Sequence, residues 1–268
     1  MSAIAARLRA LDWRLPATGR GAITVWWRNF LVWRKLMRPS LLFNFGEPLI
    51  YLVGLGFGLG SFIREMAGMP YLTFIATGVL ASSAMNTASF EGLYSVYARM
   101  VPQQTYEGML ATPLMVDDIV AGEMLWCATK GVISSTAILL VAAALGAITD
   151  WRAALCLPLF LLVGFCFAGP ALVVASLSNS FDFFAYYITL VMTPMFMLCG
   201  VFFPTSALPE FVQGLVVFLP LWHAVELIRP LSAGQPVTDV VLHVGVLALY
   251  GAVGFYIAVL LLRRRLIT

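Results

Sequence analysis

The sequence contains uninterrupted apolar stretches that are long enough to cross a lipid bilayer as helices. Residues 153–177 and 183–203 each include no Asp, Glu, Lys or Arg. About 20 apolar residues in a helix span the hydrocarbon core of a bilayer. The stretches are rich in Leu, Ala, Val and Gly and lack the period-two alternation of an outer-membrane barrel. Helices, rather than strands, are therefore predicted to span the membrane.

The composition agrees with a protein that is embedded in a membrane. Hydrophobic residues make up 61% of the 268 residues and charged residues 11%, whereas about a quarter of a typical soluble domain is charged. An ordinary soluble enzyme is thereby excluded. The formal net charge of +3 is too small to indicate a nucleic-acid partner, and we predict none.

We predict an all-α integral membrane protein with six transmembrane helices. The spans are placed at residues 41–62, 71–94, 119–148, 153–177, 183–203 and 237–262. Six helices of the minimum length need only roughly 120 residues to cross the bilayer. More than half of the chain is therefore left for longer spans and for segments that do not cross. Because no internal repeat is evident, residues 1–268 are predicted to form a single transmembrane domain.

Basic residues are concentrated near the N-terminus, where eight of the sixteen Lys and Arg residues precede Ser40. Residues 1–21 are predicted to be a polar cytoplasmic lead-in, because the charge continues too far for a signal peptide. Residues 22–38 predict an amphipathic helix that lies in the headgroup plane. Its apolar side would consist of Ile23, Trp26, Trp27, Phe30, Trp33 and Met37. The alternative is a basic flank of the first span.

The stretch between the last two spans, residues 204–236, is predicted to form re-entrant helices. It is cut by Pro204, Pro209, Pro220, Pro230 and Pro236, which favours short helical pieces whose backbone only protein contacts could satisfy. Ion pairs among Glu210, Glu226 and Arg229 could hold these pieces. The basic N-terminal block and the basic residues 263–265 predict that both termini face the cytoplasm.

Several segments resemble, in the same order, those of a known transporter family. They are EPLIYLVGLGFGLG, YLTFIATGVLASSAM, FEGLYSVYARM, GEMLWCATK, MTPMFMLCGVFFP, LPLWHAVELIRPL and LLRRRL. From about residue 29 to residue 266 the sequence resembles the permease subunits of the nodulation-factor (lipo-oligosaccharide) exporters. These form the nodulation protein J branch of the ABC-2 type transporter permeases.

The resemblance implies a half-transporter that pairs with a second copy of itself and binds two copies of a separate ABC ATPase. The implied cargo is an amphiphilic glycolipid or lipo-oligosaccharide, handled among membrane lipids. ATP and Mg would be bound by the ATPase subunits, so this chain would carry no cofactor and no enzymatic activity. The sequence agrees, since its only lysines, Lys35 and Lys130, follow no GxxxxG phosphate loop.

Residues 103–113 occupy the position where the family has its coupling helix. The candidate contacts to the ATPase are Gln104, Thr105, Tyr106, Glu107, Gly108, Met109 and Leu110. A short helix with an aromatic ring, a carboxylate and two apolar side chains can seat in a groove of a partner, and the step from Thr112 to Pro113 would end it. The alternative is a solvated loop with no partner.

Four residues are candidates for the substrate path: Glu47, Glu91, Met195 and Phe196. A carboxylate at membrane depth needs a partner, water or a shifted pKa, so Glu47 and Glu91 could meet a polar headgroup. They could equally lie at the cytoplasmic interface. Met195 and Phe196 could line an apolar groove for lipid tails, or they could simply pack in the core.

Two other functions fit a protein that crosses the membrane several times. In an ion-coupled secondary transporter, Glu47, Glu91, Glu123 and Asp182 would be the proton sites. A membrane-embedded transferase acting on lipid-linked sugars is the other alternative. The lack of repeats and of an acidic catalytic pair disfavours both. His223 and His243 are far apart in sequence and predict no metal or haem site.

Overall fold

The computed structural model describes residues 13–35, 37, 49–50 and 52–267 of the chain. The helices are α1 (Gly21–Lys35), α2 (Leu52–Ser61), α3 (Tyr71–Phe90), α4 (Val96–Met100), α5 (Thr105–Leu110), α6 (Val116–Ala144), α7 (Cys156–Leu177), α8 (Phe183–Tyr187), α9 (Thr193–Leu198), α10 (Glu210–Val216), α11 (Pro220–Ser232) and α12 (Val240–Ile267). The π turns Glu91–Ser95 and Ile188–Met192 join α3 to α4 and α8 to α9. The prediction of a predominantly helical membrane protein is confirmed.

Three of the described helices are long and apolar enough to cross a membrane. They are Val116–Ala144, Trp151–Leu177 and Val240–Leu266, and the bent pair of α10 and α11 would make a fourth if it counted as one span. The segments Leu52–Ser61 and Phe183–Leu198 are apolar but shorter. Residues 41–48 and 51 of the first predicted span lie outside the described residues. The count of six spans therefore stays a prediction.

The turn after α2 departs from an all-helical chain. Glu65–Met66 (β1) pairs with Met69–Pro70 (β2) in an antiparallel hairpin. Ala67 and Gly68 in the connection both have positive φ, 51° and 75°, which is the backbone of a tight turn whose twist matches that of the flanking strands. The connection between α2 and α3 is thus a small hairpin.

The long helices approach one another closely where glycines replace larger side chains. Helix α12 packs along α7, and a Cβ atom added at Gly254 would lie 2.8 Å from the Cα atom of Gly169. Small residues at such crossings allow the two backbones to make extensive van der Waals contact, which drives helix association in a lipid environment. This contact fixes the last helix against the centre of the bundle.

Helix α1 packs on α6 through a face that only partly matches the predicted apolar side. Val25 and Asn29 are buried against α6, and the Trp26 indole Nε1 donates to the Thr129 hydroxyl at 3.0 Å. Ile23 and Trp27, in contrast, are 61% and 49% exposed. The predicted apolar side of α1 is therefore divided, because some of its residues contact the rest of the protein and the others face outward.

The chain segment before α1 is tied to the last helix at one end of the bundle. The Arg263 guanidinium donates to both carboxylate oxygens of Asp117, from Nε at 2.7 Å and from Nη2 at 2.5 Å. It also donates to the Arg14 carbonyl at 2.9 Å. Arg265 Nη1 donates to the Ser178 carbonyl at 2.7 Å. The start of α6 and the ends of α7 and α12 therefore lie at the same end of the bundle as the N-terminal segment.

The proline-rich stretch forms short helices, as predicted, and α10 and α11 meet at an angle of 88°. Pro209 precedes α10 and Pro220 is the first residue of α11, positions where a proline needs no backbone donor. Pro230 does not cut the stretch as predicted, because α11 continues to Ser232. Whether these helices enter the bilayer stays a prediction.

Arg229 anchors α11 through hydroxyl, carbonyl and aromatic contacts, and of the predicted carboxylates Glu226 acts on it electrostatically. Its Nη2 atom donates to the Gly200 carbonyl at 2.5 Å and its Nε atom to the Thr77 hydroxyl at 3.2 Å. The guanidinium lies 3.9 Å from the centre of the Phe74 ring. Carbonyl oxygens and an aromatic face are usual partners for an arginine in a membrane interior.

Candidate functional site

The predicted coupling segment contains a six-residue helix, α5, on the connection between α4 and α6. Gln104 precedes it with φ at 48°, which turns the chain sharply into the helix. After the helix, the Thr112 hydroxyl donates to the Met109 carbonyl at 2.6 Å and Pro113 follows. The helix is thus shorter than the predicted segment 103–113, because both ends are occupied by turns.

The seven predicted coupling residues divide between two faces of α5. Tyr106 is fully buried, and Met109 and Leu110 pack against the same apolar cluster. Gln104, Glu107 and Gly108 are exposed, whereas Thr105 is half-buried. A Cβ atom added at Gly108 would meet nothing within 4 Å. The exposed face is therefore open for a partner, and the buried face attaches α5 to the rest of the protein.

A network of buried charges lies directly beside Tyr106. Arg99 donates to Glu123 from Nε to Oε1 at 3.0 Å and from Nη2 to Oε2 at 2.6 Å. The Arg99 Nη2 atom also lies 3.3 Å from Glu91 Oε1. Because Glu123 is fully buried and Glu91 nearly so, both carboxylates depend on these partners for their stability.

Helices α1 and α6 complete the network. Lys130 Nζ donates to Glu91 Oε2 at 3.0 Å, and the Trp126 indole donates to Glu91 Oε1 at the same distance. Asn29 Nδ2 donates to Glu123 Oε2, also at 3.0 Å. The network therefore joins α1, the α3–α4 region and α6 at the place where α5 is attached.

Two groups of this site have shifted pKa values. Burial raises the pKa of the Tyr106 hydroxyl well above its usual value, and the nearby Glu123 carboxylate acts in the same direction. Burial alone would lower the pKa of the Arg99 guanidinium, but the carboxylates of Glu123 and Glu91 raise it well above its usual value. Tyr106 is thus neutral and Arg99 cationic at every physiological pH.

Local sequence explains why these side chains converge. Glu123, Trp126 and Lys130 are separated by three and four residues, so they lie on one face of α6. The π turn Glu91–Ser95 inserts an extra residue into the helix that carries Glu91 and Arg99. Such turns redirect side chains and frequently occur at functional sites. Both helices thereby present their charges to each other.

The structure does not bring together the three substrate-path candidates that it describes. Glu47 lies outside the described residues. Glu91 belongs to the charge network. Met195 is buried in the other apolar cluster of the protein, and Phe196 packs there edge-to-face on Phe202 with ring centres 4.9 Å apart. Within one chain, Glu91, Met195 and Phe196 therefore do not line a single path.

Sequence reasoning missed several members of the network, namely Asn29, Arg99, Trp126 and Lys130. The three- and four-residue spacing from Glu123 to Lys130 was the available signal.

Sequence reasoning also missed a contact between two histidines, since the Nδ1 atoms of His223 and His243 lie 2.7 Å apart. His223 Nε2 lies 2.8 Å from the Val217 carbonyl. The two histidines, although distant in sequence, meet because α11 packs against α12.

Two of the proposed proton sites of a secondary transporter are engaged in fixed contacts. Glu91 and Glu123 both pair with Arg99, and Glu91 also pairs with Lys130. Asp182 is exposed. Carboxylates held in ion pairs of this kind serve structural links more readily than cycles of proton uptake and release.

Comparison with known proteins places this geometry in a family. Residues 21–231 match the model of the ABC-2 type transporter family. Nodulation protein J of Rhizobium leguminosarum bv. viciae is 47% identical over 253 residues, which cover 94% of this chain and 97% of that protein. Nodulation protein J of Bradyrhizobium diazoefficiens is 45% identical over 254 residues, with the same shares of the two chains.

A more distant relative is the inner membrane transport permease YadH of Escherichia coli K12. It is 27% identical over 234 residues, which cover 86% of this chain and 88% of that protein. No solved structure matches the chain significantly. The matched segment contains the charge network and α5, so the chain belongs to the ABC-2 type transporter family, as a permease of the nodulation protein J branch.

Proposed function

We propose that this permease is the membrane half of an ATP-driven exporter, working as two copies bound to two ABC ATPase subunits. ATP and Mg would be bound by those subunits. The observation that carries the proposal is the division of α5 into an exposed face, with Glu107, and a buried face, with Tyr106 beside Arg99 and Glu123. A helix that is open to a partner on one side and attached to a charge network on the other can transmit movement.

The helices that the charge network joins are the ones that a movement of α5 would reach. A displacement of α5 would move Tyr106, which lies in one apolar cluster with Val25 of α1 and Ile119 of α6. The Arg99–Glu123 pair would carry the same displacement between α4 and α6. Packed interfaces of this kind shift between discrete arrangements rather than deforming continuously. Closure of the ATPase subunits on ATP would therefore move α1 and α6 together and change the path between the two protomers.

The positions of helix ends support six spans. The C-termini of α7 and α12 lie at the same end of the bundle as the N-terminus of α6. The chain must therefore cross once between α7 and α12, and Phe183–Leu198 is the apolar helix available for that crossing. Similarly, α4 ends beside α6 and α1, so a crossing before α3 is needed. Residues 41–62 would supply it.

The basic residues at this end of the bundle support an orientation with both termini in the cytoplasm. Arg14, Arg20, Arg28 and residues 263–265 all lie near it, and cytoplasmic segments carry an excess of Lys and Arg. Helix α5 would then also face the cytoplasm of the bacterial inner membrane, where an ATPase subunit can reach it.

The proposed cargo is an amphiphilic glycolipid or lipo-oligosaccharide. The family resemblance supports it, together with the many apolar side chains that remain exposed on the single chain. An apolar surface shared between two protomers and lipid suits a cargo that carries an acyl chain. Met195 and Phe196 are candidates for contacts with that chain.

The test combines partner capture with a charge reversal on the exposed face of α5. The tagged chain is purified from native membranes, its partners are identified, and the stimulated ATPase activity of the complex is measured. Glu107→Lys should weaken binding of the ATPase roughly tenfold or more, because the reversed charge at the edge of the interface would no longer complement the ATPase surface that it faces. Glu210→Lys, a reversal at an exposed glutamate of α10, is the matched control and should leave ATPase binding unchanged.

Absence of a nucleotide-binding subunit from the purified complex would contradict the proposal. Equal loss of binding in both variants would show that net charge matters and that α5 does not. The cargo is tested separately, by mass spectrometry of lipids retained by the complex and by ATP-dependent transfer of the identified lipid in vesicles. Transfer driven by a proton gradient without ATP would favour a secondary transporter instead.

A further inference from the structure

A polar cavity of about 340 Å³ lies between α1, the α3–α4 region and α6. Residues on its wall include Arg28, Trp33, Arg99, Gln103, Trp126 and Lys130. The charge network forms one side of this cavity, and α1 forms the other. Its wall therefore combines cationic groups with the faces and edges of two indole rings.

The charges on the wall do not balance. Arg99 and Lys130 face the carboxylates of Glu91 and Glu123, so these four charges compensate one another. Arg28 donates from its Nη1 atom to the neutral Asn29 amide oxygen at 3.0 Å. Three cations, Arg28, Arg99 and Lys130, thus share two carboxylates, and both carboxylates are already held by Arg99 or Lys130.

Arg28 is in an environment that a bound anion would improve. Burial lowers the pKa of its guanidinium and repulsion from Arg99 lowers it further, and together they outweigh the attraction of the Glu123 carboxylate. The Asn29 amide cannot relieve this repulsion, because it is neutral and its nitrogen is already directed to Glu123. A guanidinium presents several donors in one plane, which suits the oxygens of a phosphate group.

The surroundings of the cavity point to an anion that is carried by a lipid. Trp33 and Trp126 lie on its wall with ring centres 6.0 Å apart, and indoles concentrate at the headgroup level of membranes. Val32, also on the wall, is 48% exposed. Val32 and the indoles of Trp33 and Trp126 therefore offer an acyl chain an apolar surface at the cavity itself.

We propose that this cavity binds the anionic headgroup of a membrane lipid and that Arg28 pairs with its phosphate. The lipid would link α1 to the charge network. This site goes beyond the proposed export function, because the bound lipid need not be the cargo and its binding needs no ATPase subunit.

Binding is measured by native mass spectrometry of the full chain, titrated with phosphatidylglycerol or with phosphatidylcholine. The unmodified chain should bind phosphatidylglycerol in preference. Arg28→Gln should lower the affinity for phosphatidylglycerol roughly tenfold, as expected for loss of a charge-assisted hydrogen bond, and leave phosphatidylcholine binding unchanged. Arg28→Lys should retain most of the affinity.

Arg34→Gln is the matched control, because it removes an exposed arginine from the same helix. A loss equal to that of Arg28→Gln would overturn the proposal in favour of diffuse charge attraction. Val32→Asp supplies a second variant at an exposed position on the wall. It should weaken phosphatidylglycerol binding, whereas Val32→Asn should not, and equal affinities in these two variants would also overturn the proposal.

Inorganic phosphate distinguishes a lipid from a free anion. Excess phosphate should displace phosphatidylglycerol only weakly, because it lacks the acyl chains that lie against α1. Displacement by phosphate at concentrations that match those of the lipid would contradict a lipid site. Preserved elution and thermal unfolding of each variant establish that the affinities refer to folded protein.

Discussion

The guanidinium of Arg99 holds the carboxylate of Glu123 through two parallel hydrogen bonds, one to each oxygen. Glu123 is fully buried, and the Arg99 side chain is 12% exposed. Two-point contacts of this kind fix the relative orientation of the groups as well as their separation. Because Arg99 belongs to α4 and Glu123 to α6, the pair holds the two helices that flank α5 in one arrangement.

Loss of Arg99 should destabilise the protein more than loss of the pair as a whole. Arg99→Gln leaves Glu123 buried without its cation, and removal of one partner from a buried pair costs about 3–5 kcal/mol of unfolding free energy. The double variant Arg99→Gln with Glu123→Gln should be more stable than the sum of the single effects predicts, because no uncompensated charge remains at Glu123.

The measurement is thermal or denaturant unfolding of the purified chain in one detergent, with Arg34→Gln as an exposed control that should change little. Strictly additive effects of the two single variants would show that Arg99 and Glu123 do not interact energetically. Double-variant analysis is the clean way to assign energy to such a network.

The ring of Tyr106, rather than its hydroxyl, should attach α5 to the bundle. Among the described residues the hydroxyl has no hydrogen-bond partner, and removal of an unsatisfied buried group is nearly neutral or slightly stabilising. Tyr106→Phe should therefore keep both stability and ATPase stimulation. Tyr106→Ala removes a fully buried ring, which should cost about 3–5 kcal/mol, and should abolish stimulation.

Unfolding and stimulated ATPase activity are compared for the two variants at equal amounts of complex. If Tyr106→Phe proved as damaging as Tyr106→Ala, the hydroxyl would have to act through a contact with Arg99 or Glu123. If Tyr106→Ala retained full stimulation, α5 would not transmit through its buried face.

Hydropathy predicted the long helices well. The third and fourth spans, expected at residues 119–148 and 153–177, correspond to the apolar helices Val116–Ala144 and Trp151–Leu177. Membrane thickness sets the length of such segments and apolar composition marks them locally, so no tertiary information is needed. Pro209 and Pro220 likewise predicted where α10 and α11 begin, whereas Pro230 did not end α11.

Pairing between distant side chains could not be predicted in the same way. Arg99 and Glu123 are 24 residues apart, and His223 and His243 are 20 apart. Such contacts depend on how helices rotate and cross, which hydropathy does not encode. The predicted apolar side of α1 shows the same limit, because periodicity places Trp26 on a membrane-facing side whereas the Thr129 hydroxyl holds its indole against α6.

The crossing of α7 and α12 should not tolerate even one added methyl group. In Gly254→Ala the new Cβ atom would lie 2.8 Å from the Cα atom of Gly169, so the helices must separate. Such overpacking typically costs about 1–3 kcal/mol. Gly245→Ala is the matched control on the same helix, since a Cβ atom there meets nothing within 4 Å.

The two variants are compared by the temperature at which each loses its monodisperse elution profile. The control should match or exceed the unmodified chain, because alanine favours a helix relative to glycine. Equal behaviour of Gly254→Ala and Gly245→Ala would contradict a close crossing at this position.

The contact between Asp117 and Arg263 should restrain the chain segment that precedes α1. Asp117 accepts from the backbone N–H of Ala17 at 2.8 Å and from two nitrogens of Arg263, so Asp117→Asn weakens both contacts at once. Opening of this segment should then become roughly tenfold more frequent, which corresponds to about 1.4 kcal/mol. Trypsin added to membranes that expose the cytoplasmic face should cleave after Arg14 or Arg20 correspondingly faster.

Asp182→Asn, at an exposed aspartate, is the matched control and should leave the cleavage rate unchanged. Cleavage tracks the population of the open segment when opening and closing are fast relative to proteolysis. Unaltered cleavage in Asp117→Asn would mean that the bundle holds the segment by other contacts. Faster cleavage from the opposite face of the membrane would contradict the cytoplasmic assignment of the N-terminal segment, and with it the side on which α5 meets its ATPase.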